Sequence, residues 1–167
     1  MSSTLSSFRP LVAALVLAAA LSGCDTGPSA EDLQKGVESA IAAKDYPGAV
    51  TKADEALKNE AVGKDPAKAW RFESMRLQAL ADGGKGADVV TSLDRLRGAY
   101  DKQVTPALYR SLADKLKVAG DGEGTVTVLD AGLKRFPEDP SFQAALDDLK
   151  NSVDPEEIEK LKALGYL

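Results

Sequence analysis

No histidine occurs anywhere in the 167 residues. That removes the side chain used most often as a general base, as the activator of a nucleophile and as a metal ligand. Cysteine occurs once, at Cys24, so no disulfide can form within the chain. Aromatic residues make up 5% of the chain against 44% for all hydrophobic types, so the core must draw largely on alanine and leucine. Alanine buries little area, and at about 25 cal/mol per Å² it contributes little. What it permits is close approach of helices. An excess of cations is also missing: Lys and Arg number 21 against 26 Asp and Glu, a net charge of −5. Phosphate neutralisation needs clustered Lys and Arg, so nucleic acid is not an expected partner.

Other chemical signatures are absent as well. The glycine clusters at Gly83–Gly86 and Gly120–Gly124 form neither G-x-G-x-x-G nor a phosphate loop ending in Lys-Ser/Thr. No D-x-D-x-D-G calcium loop is present. The neighbouring carboxylates Asp147-Asp148 and Glu156-Glu157 point about 100° apart on a helix, so they do not converge as an acid/base pair. The expectation is a protein that is not an enzyme and holds no cofactor and no metal.

One apolar run stands out, from Leu11 to Leu21, preceded by the single basic residue Arg9. At roughly a dozen residues it is too short to span a bilayer, where about 20 are needed. A basic start, a short apolar stretch and small residues before a cut make a secretory signal. The run ends in Leu21-Ser22-Gly23-Cys24, which resembles the lipobox of bacterial lipoproteins. That resemblance implies cleavage of residues 1–23 and acylation of Cys24, first on its thiol and then on the new amine. The bilayer would then be held through the acylated Cys24, and stable anchoring takes about two chains. Residues 24–28 form a short linker, so the domain is expected close to the membrane. The resemblance places the protein in the bacterial cell envelope, facing the periplasm or exterior. Asp25 is the residue that favours inner-membrane retention in enteric bacteria; other lineages follow other rules, and the choice of membrane stays open.

Downstream, helix starts recur. Ser29 precedes Glu31 and Asp32, while Asp65-Pro66, Thr105-Pro106, Asp139-Pro140 and Asp154-Pro155 each set a capping side chain before a proline. The cap oxygen accepts an orphan N–H, and proline at the first helical position loses no hydrogen bond. Starts at 29, 65, 105 and 139 are separated by 36, 40 and 34 residues. Turns are expected at Lys44-Asp45, Gly83-Gly84 and Gly120-Asp121, with the glycine-rich stretch lengthening the second one. A helix–turn–helix unit repeated with such a period points to a solenoid. Thr125–Leu129 alternates like a strand, yet Val126, Leu129, Leu133 and Phe136 recur on a helical stripe, and we read it as helix.

In the third unit Tyr109, Leu112, Ala113, Leu116, Gly120, Leu129, Gly132 and Pro137 stand where tetratricopeptide repeats carry their signature residues, with Thr125 in place of the usual alanine. The first unit matches through Leu33, Ala40, Asp45-Tyr46, Ala49, Ala53 and Ala56, lacking the leucine at Gly36 and the closing proline. In the second, Trp70, Met75 and Leu77 favour different registers. The chain from 29 to 150 therefore resembles a tetratricopeptide-repeat domain. The resemblance implies an all-α, short right-handed helical-repeat solenoid: three helical hairpins, a capping helix from Asp139 and a short C-terminal helix. An irregular array of helical hairpins would look much the same.

Such arrays line a concave groove with the first helix of each unit. Carried over, the pattern puts Glu31, Gln34, Glu38, Ile41 and Ala42 on the wall from unit one. From unit three it takes Ala107, Arg110, Asp114, Lys117 and Val118; unit two cannot be assigned. The segment 151–167 reads as an amphipathic tail with Ile158, Leu161 and Leu164 on one face and Tyr166 and Leu167 at its end. It either packs on the last hairpin or docks a partner. The function expected is a lipid-anchored envelope adaptor that holds another envelope protein in the groove. Two rivals stand beside it: a self-associating structural lipoprotein, and a small-ligand module using a cavity near Trp70, Phe72 and Met75.

Overall fold

The protein is represented by a computed structural model, which describes residues 27–152 and 162. The signal segment, Cys24, Asp25 and the tail residues Leu161, Leu164, Tyr166 and Leu167 lie outside the described residues. Among those described the chain is all-helical, with no strand. Its helices are α1 (Ala30–Ala42), α2 (Tyr46–Lys58), the single turn α3 (Glu60–Gly63), α4 (Pro66–Asp82), α5 (Gly86–Leu96), α6 (Pro106–Val118), α7 (Gly122–Arg135) and α8 (Pro140–Ser152). The β-branched stretch Thr125–Leu129 lies inside α7, where Val126, Val128 and Leu129 are buried.

The caps work as their chemistry dictates. Ser29 Oγ accepts from Asp32 N, Asp65 from Ala67 N and Lys68 N, Thr105 Oγ1 from Leu108 N, and Asp139 from Ser141 N. Three connections, 43–45, 83–85 and 119–121, have the same length and bonding. In each, the last residue's N–H reaches a carbonyl five residues back: Asp45 to Ala40, Lys85 to Leu80, Asp121 to Leu116. The residue before it donates three back, and it adopts a left-handed backbone: Lys44 (φ 58°), Gly84 (φ 65°) and Gly120 (φ 80°). This is the Schellman stop, for which glycine is the usual residue. The second turn is thus no longer than the others, contrary to the sequence expectation. The extra length of the middle segment sits in α4, which has 17 residues where α1 and α6 have 13.

Helices joined by these turns pack together, and α4 also meets α2, α1 and α6, while α5 meets α7. Two edges result. The turn edge gathers the three short turns: Gly86 N donates to Asp121 Oδ2, and a side chain at Gly83 would press on Tyr46. The loop edge gathers the longer connections: Asn59 Nδ2 approaches Pro28 O at 3.5 Å, and Arg135 pairs with Asp101. At about 1.5 Å per residue, a 13-residue helix holds the edges about 20 Å apart.

Two main core clusters lie between them. The first, around α1, α2 and α4, is alanine-rich: Ala40, Ala49, Ala53, Ala56 and Ala79 surround Val37, Val62 and Phe72. The second runs from α4 to α8 and holds the larger side chains, among them Leu77, Leu93, Leu96, Tyr109, Leu116 and Phe142. Tyr109 meets Phe136 and Phe142 edge-on, at centroid distances of 6.0 and 6.3 Å, and burial pushes its phenol pKa up. Among the described residues one carboxylate is buried: Glu73 on α4, 4% exposed, accepts from both Nη groups of Arg95 on α5 at 2.8 and 2.7 Å. Those bonds raise the pKa of the guanidinium. Arg76 beside it joins Asp54 of α2 and Ser92 of α5, so ionic bonds tie three helices at one junction.

Candidate functional site

Helix α6 buries Tyr109, Leu112, Ala113 and Leu116. Its helical period therefore turns Ala107, Arg110, Asp114 and Lys117 to the other side. These four line one cleft of about 410 Å³. Thr125 and Leu129 of α7 contribute as well, and Ala145, Asp148 and Leu149 of α8 close the opposite side. The charges around it alternate, Arg110 and Lys117 against Asp114 and Asp148. Arg110 Nε is buried there with no hydrogen-bond partner among the described residues. The same guanidinium helps hold the Asp139 carboxyl below the ordinary carboxylate range, behind the stronger effects of the Ser141 hydroxyl and the Ser141 N–H. Cations and anions thus face a concave surface that is neither closed nor strongly apolar. Such a surface suits an extended or helical segment of protein bearing both charges and small apolar groups.

Glu31, Gln34 and Glu38 form a separate stripe along α1. Gln34 Nε2 donates to Glu38 Oε1 at 2.6 Å, and Arg71 Nη1 of α4 donates to Gln34 Oε1 at 2.8 Å. They do not line the α6–α8 cleft. The shared turn geometry supplies what sequence reading could not, the register of α4. Superposing Gly84 on Gly120 makes Arg71, Ser74 and Gln78 the counterparts of Ala107, Arg110 and Asp114. Superposing Lys44 on Gly120 returns Glu31, Gln34 and Glu38 for α1, the same positions the sequence reading selected. Between α4 and α6, Lys115 Nζ bonds both Asp82 oxygens at 3.0 and 3.2 Å. Sequence reading missed Arg71 because the proline start of α4 lies one helical turn upstream of its counterpart in α6. It missed Asp148 because no partner helix was assigned to α8.

Elsewhere, Phe72 is buried in the first cluster with Met75 packed against it, and Trp70 rests on Tyr100 at 5.2 Å between centroids. An apolar cleft of about 280 Å³ opens at the turn edge between Tyr46, Pro47, Val50, Leu80 and Gly83. Among the described residues, no group of three or more Asp, Glu, His or Cys is placed to hold a metal ion. No described helix is long and apolar enough to cross a membrane. No family model, no curated protein and no solved structure matches the chain.

Proposed function

We propose that this protein is a lipid-anchored adaptor of the bacterial cell envelope, built as a short tetratricopeptide-like solenoid that holds a protein partner in its groove. The observation that carries the reading is the gathering of Ala107, Arg110, Asp114 and Lys117 in one cleft against Asp148. Those α6 positions are the ones the resemblance assigns to partner contact. The three turns of equal length and bonding support the solenoid part of the proposal. The lipobox supports the anchor: Cys24 would carry the acyl chains and the domain would project from the bilayer.

A photo-reactive amino acid at position 110 or 114 in cells tests the partner. Cross-links to a second envelope protein from these positions, and not from Thr91 on the outward face of α5, are the expected result. Recovery of homo-oligomers alone would transfer the protein to the self-associating class. Cys24→Ala tests the anchor, and an uncleaved precursor without acyl mass is expected. A mutant that matures normally sinks that half of the proposal.

A further inference from the structure

The apolar cleft at the turn edge has a cause in the sequence. The matching turns put Tyr46, Gly86 and Gly122 at the same point of α2, α5 and α7, and Gly48, Asp88 and Gly124 two residues further on. Between α5 and α7 the residues that meet are Gly86 and Gly124. A Cβ on Gly86 would stand 2.1 Å from the Gly124 Cα, and Asp121 Oδ2 accepts from Gly86 N at 2.9 Å. Between α2 and α5 the same two points hold Tyr46 and Asp88, and Lys85 stands in place of Asp121. A phenol and a carboxylate cannot close as two glycines do, and an ammonium offers no acceptor. These two helices therefore make no comparable packing contact. The gap is the cleft of about 280 Å³, walled by Tyr46, Pro47, Val50 and Leu80, with Lys85 and Asp88 beside them.

We propose that the chain's own tail fills this cleft: Leu161 and Leu164 seat in it, and residues 153–164 form a strap along the turn edge. Lys162 is helical and exposed, as a residue on the polar side of that segment should be. Two nearer seats suit the apolar stripe less well. One is the outer face of α8, where the tail would complete a fourth hairpin. Helix α8 starts 34 residues after α6, so the buried Tyr109, Leu112, Ala113 and Leu116 correspond to Gln143, Leu146, Asp147 and Lys150. Three of these four are polar, and Asp147 bonds both Gln143 and Lys150, at 3.2 and 3.3 Å. The other is the α6–α8 cleft, where Arg110, Asp114, Lys117 and Asp148 would lose water to a leucine that offers them nothing. Position and reach favour the turn edge. Helix α8 ends there, with Leu149 joining Val126 near the start of α7. From Ser152, three extended steps to Pro155 cover about 10 Å. Nine helical steps to Leu164 add about 14 Å. Crossing from α8 over α6 to α4 takes two interhelix spacings, about 20 Å. On that route lies Val118 at the end of α6, 90% exposed, the one large apolar side chain left exposed among the described residues.

Paired cysteines in the full chain test the strap. The Cys24→Ala background leaves the introduced residues as the only thiols. Leu164→Cys is combined in turn with Pro47→Cys or Asp88→Cys at the cleft, Asp114→Cys in the groove and Gln143→Cys on the outer face of α8. Under mild oxidation, disulfides within one chain are expected to form several-fold faster at 47 and 88 than at 114 and 143. Adding Leu161→Asp is expected to slow the reaction at 47 and 88 several-fold, because it removes an apolar anchor and leaves the thiols in place. Fastest reaction at 114 or 143, equal rates at all four positions, disulfides between two chains, or rates that ignore Leu161→Asp would each overturn the inference. None of these outcomes bears on the acyl anchor. Only the result at 114 concerns the groove, where it would show the tail competing with a partner.

Discussion

At Asp121 one carboxylate serves two helices. Its Oδ1 accepts from Gly124 N at 2.8 Å and caps α7. Its Oδ2 accepts from Gly86 N at 2.9 Å, at the start of α5, where Lys85 supplies no side-chain cap. The contact needs glycine on both sides, since a Cβ on Gly86 would collide with the backbone of Gly124. Asp121→Ala leaves two N–H groups without their acceptor and is expected to cost about 2 kcal/mol, read as a lower urea midpoint at unchanged slope. The turn before α7 was legible in Gly120-Asp121. The second bond was not, because its partners are 35 residues apart. Other carboxylates act locally. A hydrogen bond from the Ser29 hydroxyl lowers the Asp32 pKa, and the Lys68 N–H does so for Asp65. The Ser141 hydroxyl has the same effect on Asp139. A carboxyl held low in the folded state leaves the unfolded chain binding more protons. Stability should therefore be complete above the ordinary carboxylate value of 3.8 and decline as pH falls through and below it. Urea melts at stepped acid pH check this, with Asp65→Asn flattening the decline.

Among the elements, α2 depends most on what it lacks. Ala49, Ala53 and Ala56 are fully buried, so the innermost contacts of this helix with α1 and α4 are methyl groups, with Val50 and Leu57 packed beside them and Asp54 bonded to Arg76. Ala53→Leu inserts three carbons where no space exists and is expected to cost about 1–3 kcal/mol or more, visible as a lower melting temperature. The shortage of aromatics had already implied an alanine core, and this helix shows where that shortage falls. Element α4 shows the reverse. Counting from proline caps assumes that helices start in step, and α4 starts one turn early. Its Trp70 then falls where α6 has Pro106, which is why its signature residues favoured different registers. Turns keep the better count, because a Schellman stop places one left-handed residue at a set position relative to the helix end.

Across the whole molecule the two core clusters differ in what they bury. The buried members of the first are alanine with three larger side chains, while those of the second are mostly larger, with leucine foremost. Burial contributes about 25 cal/mol per Å², so the α1–α2 end is held more weakly than the α5–α7 region. Native-state hydrogen exchange is expected to show α1 and α2 amides opening at lower free energy than those of α6 and α7. Uniform protection would contradict this. Much of this architecture could be read along the chain. Caps, glycine turns and apolar stripes act over three to five residues, so the amino-acid order alone settled the helical class, where most helices begin and where they stop. The candidate groove positions came from the tetratricopeptide resemblance: Ala107, Arg110, Asp114 and Lys117 of α6 share one cleft, and the α1 positions do not line it. Packing settled the rest: the Glu73–Arg95 and Asp121–Gly86 bonds, and the cleft that opposes α6 to Asp148. Each joins residues 22 or more positions apart, and such pairings depend on which faces of different helices come together, a choice that no local pattern encodes.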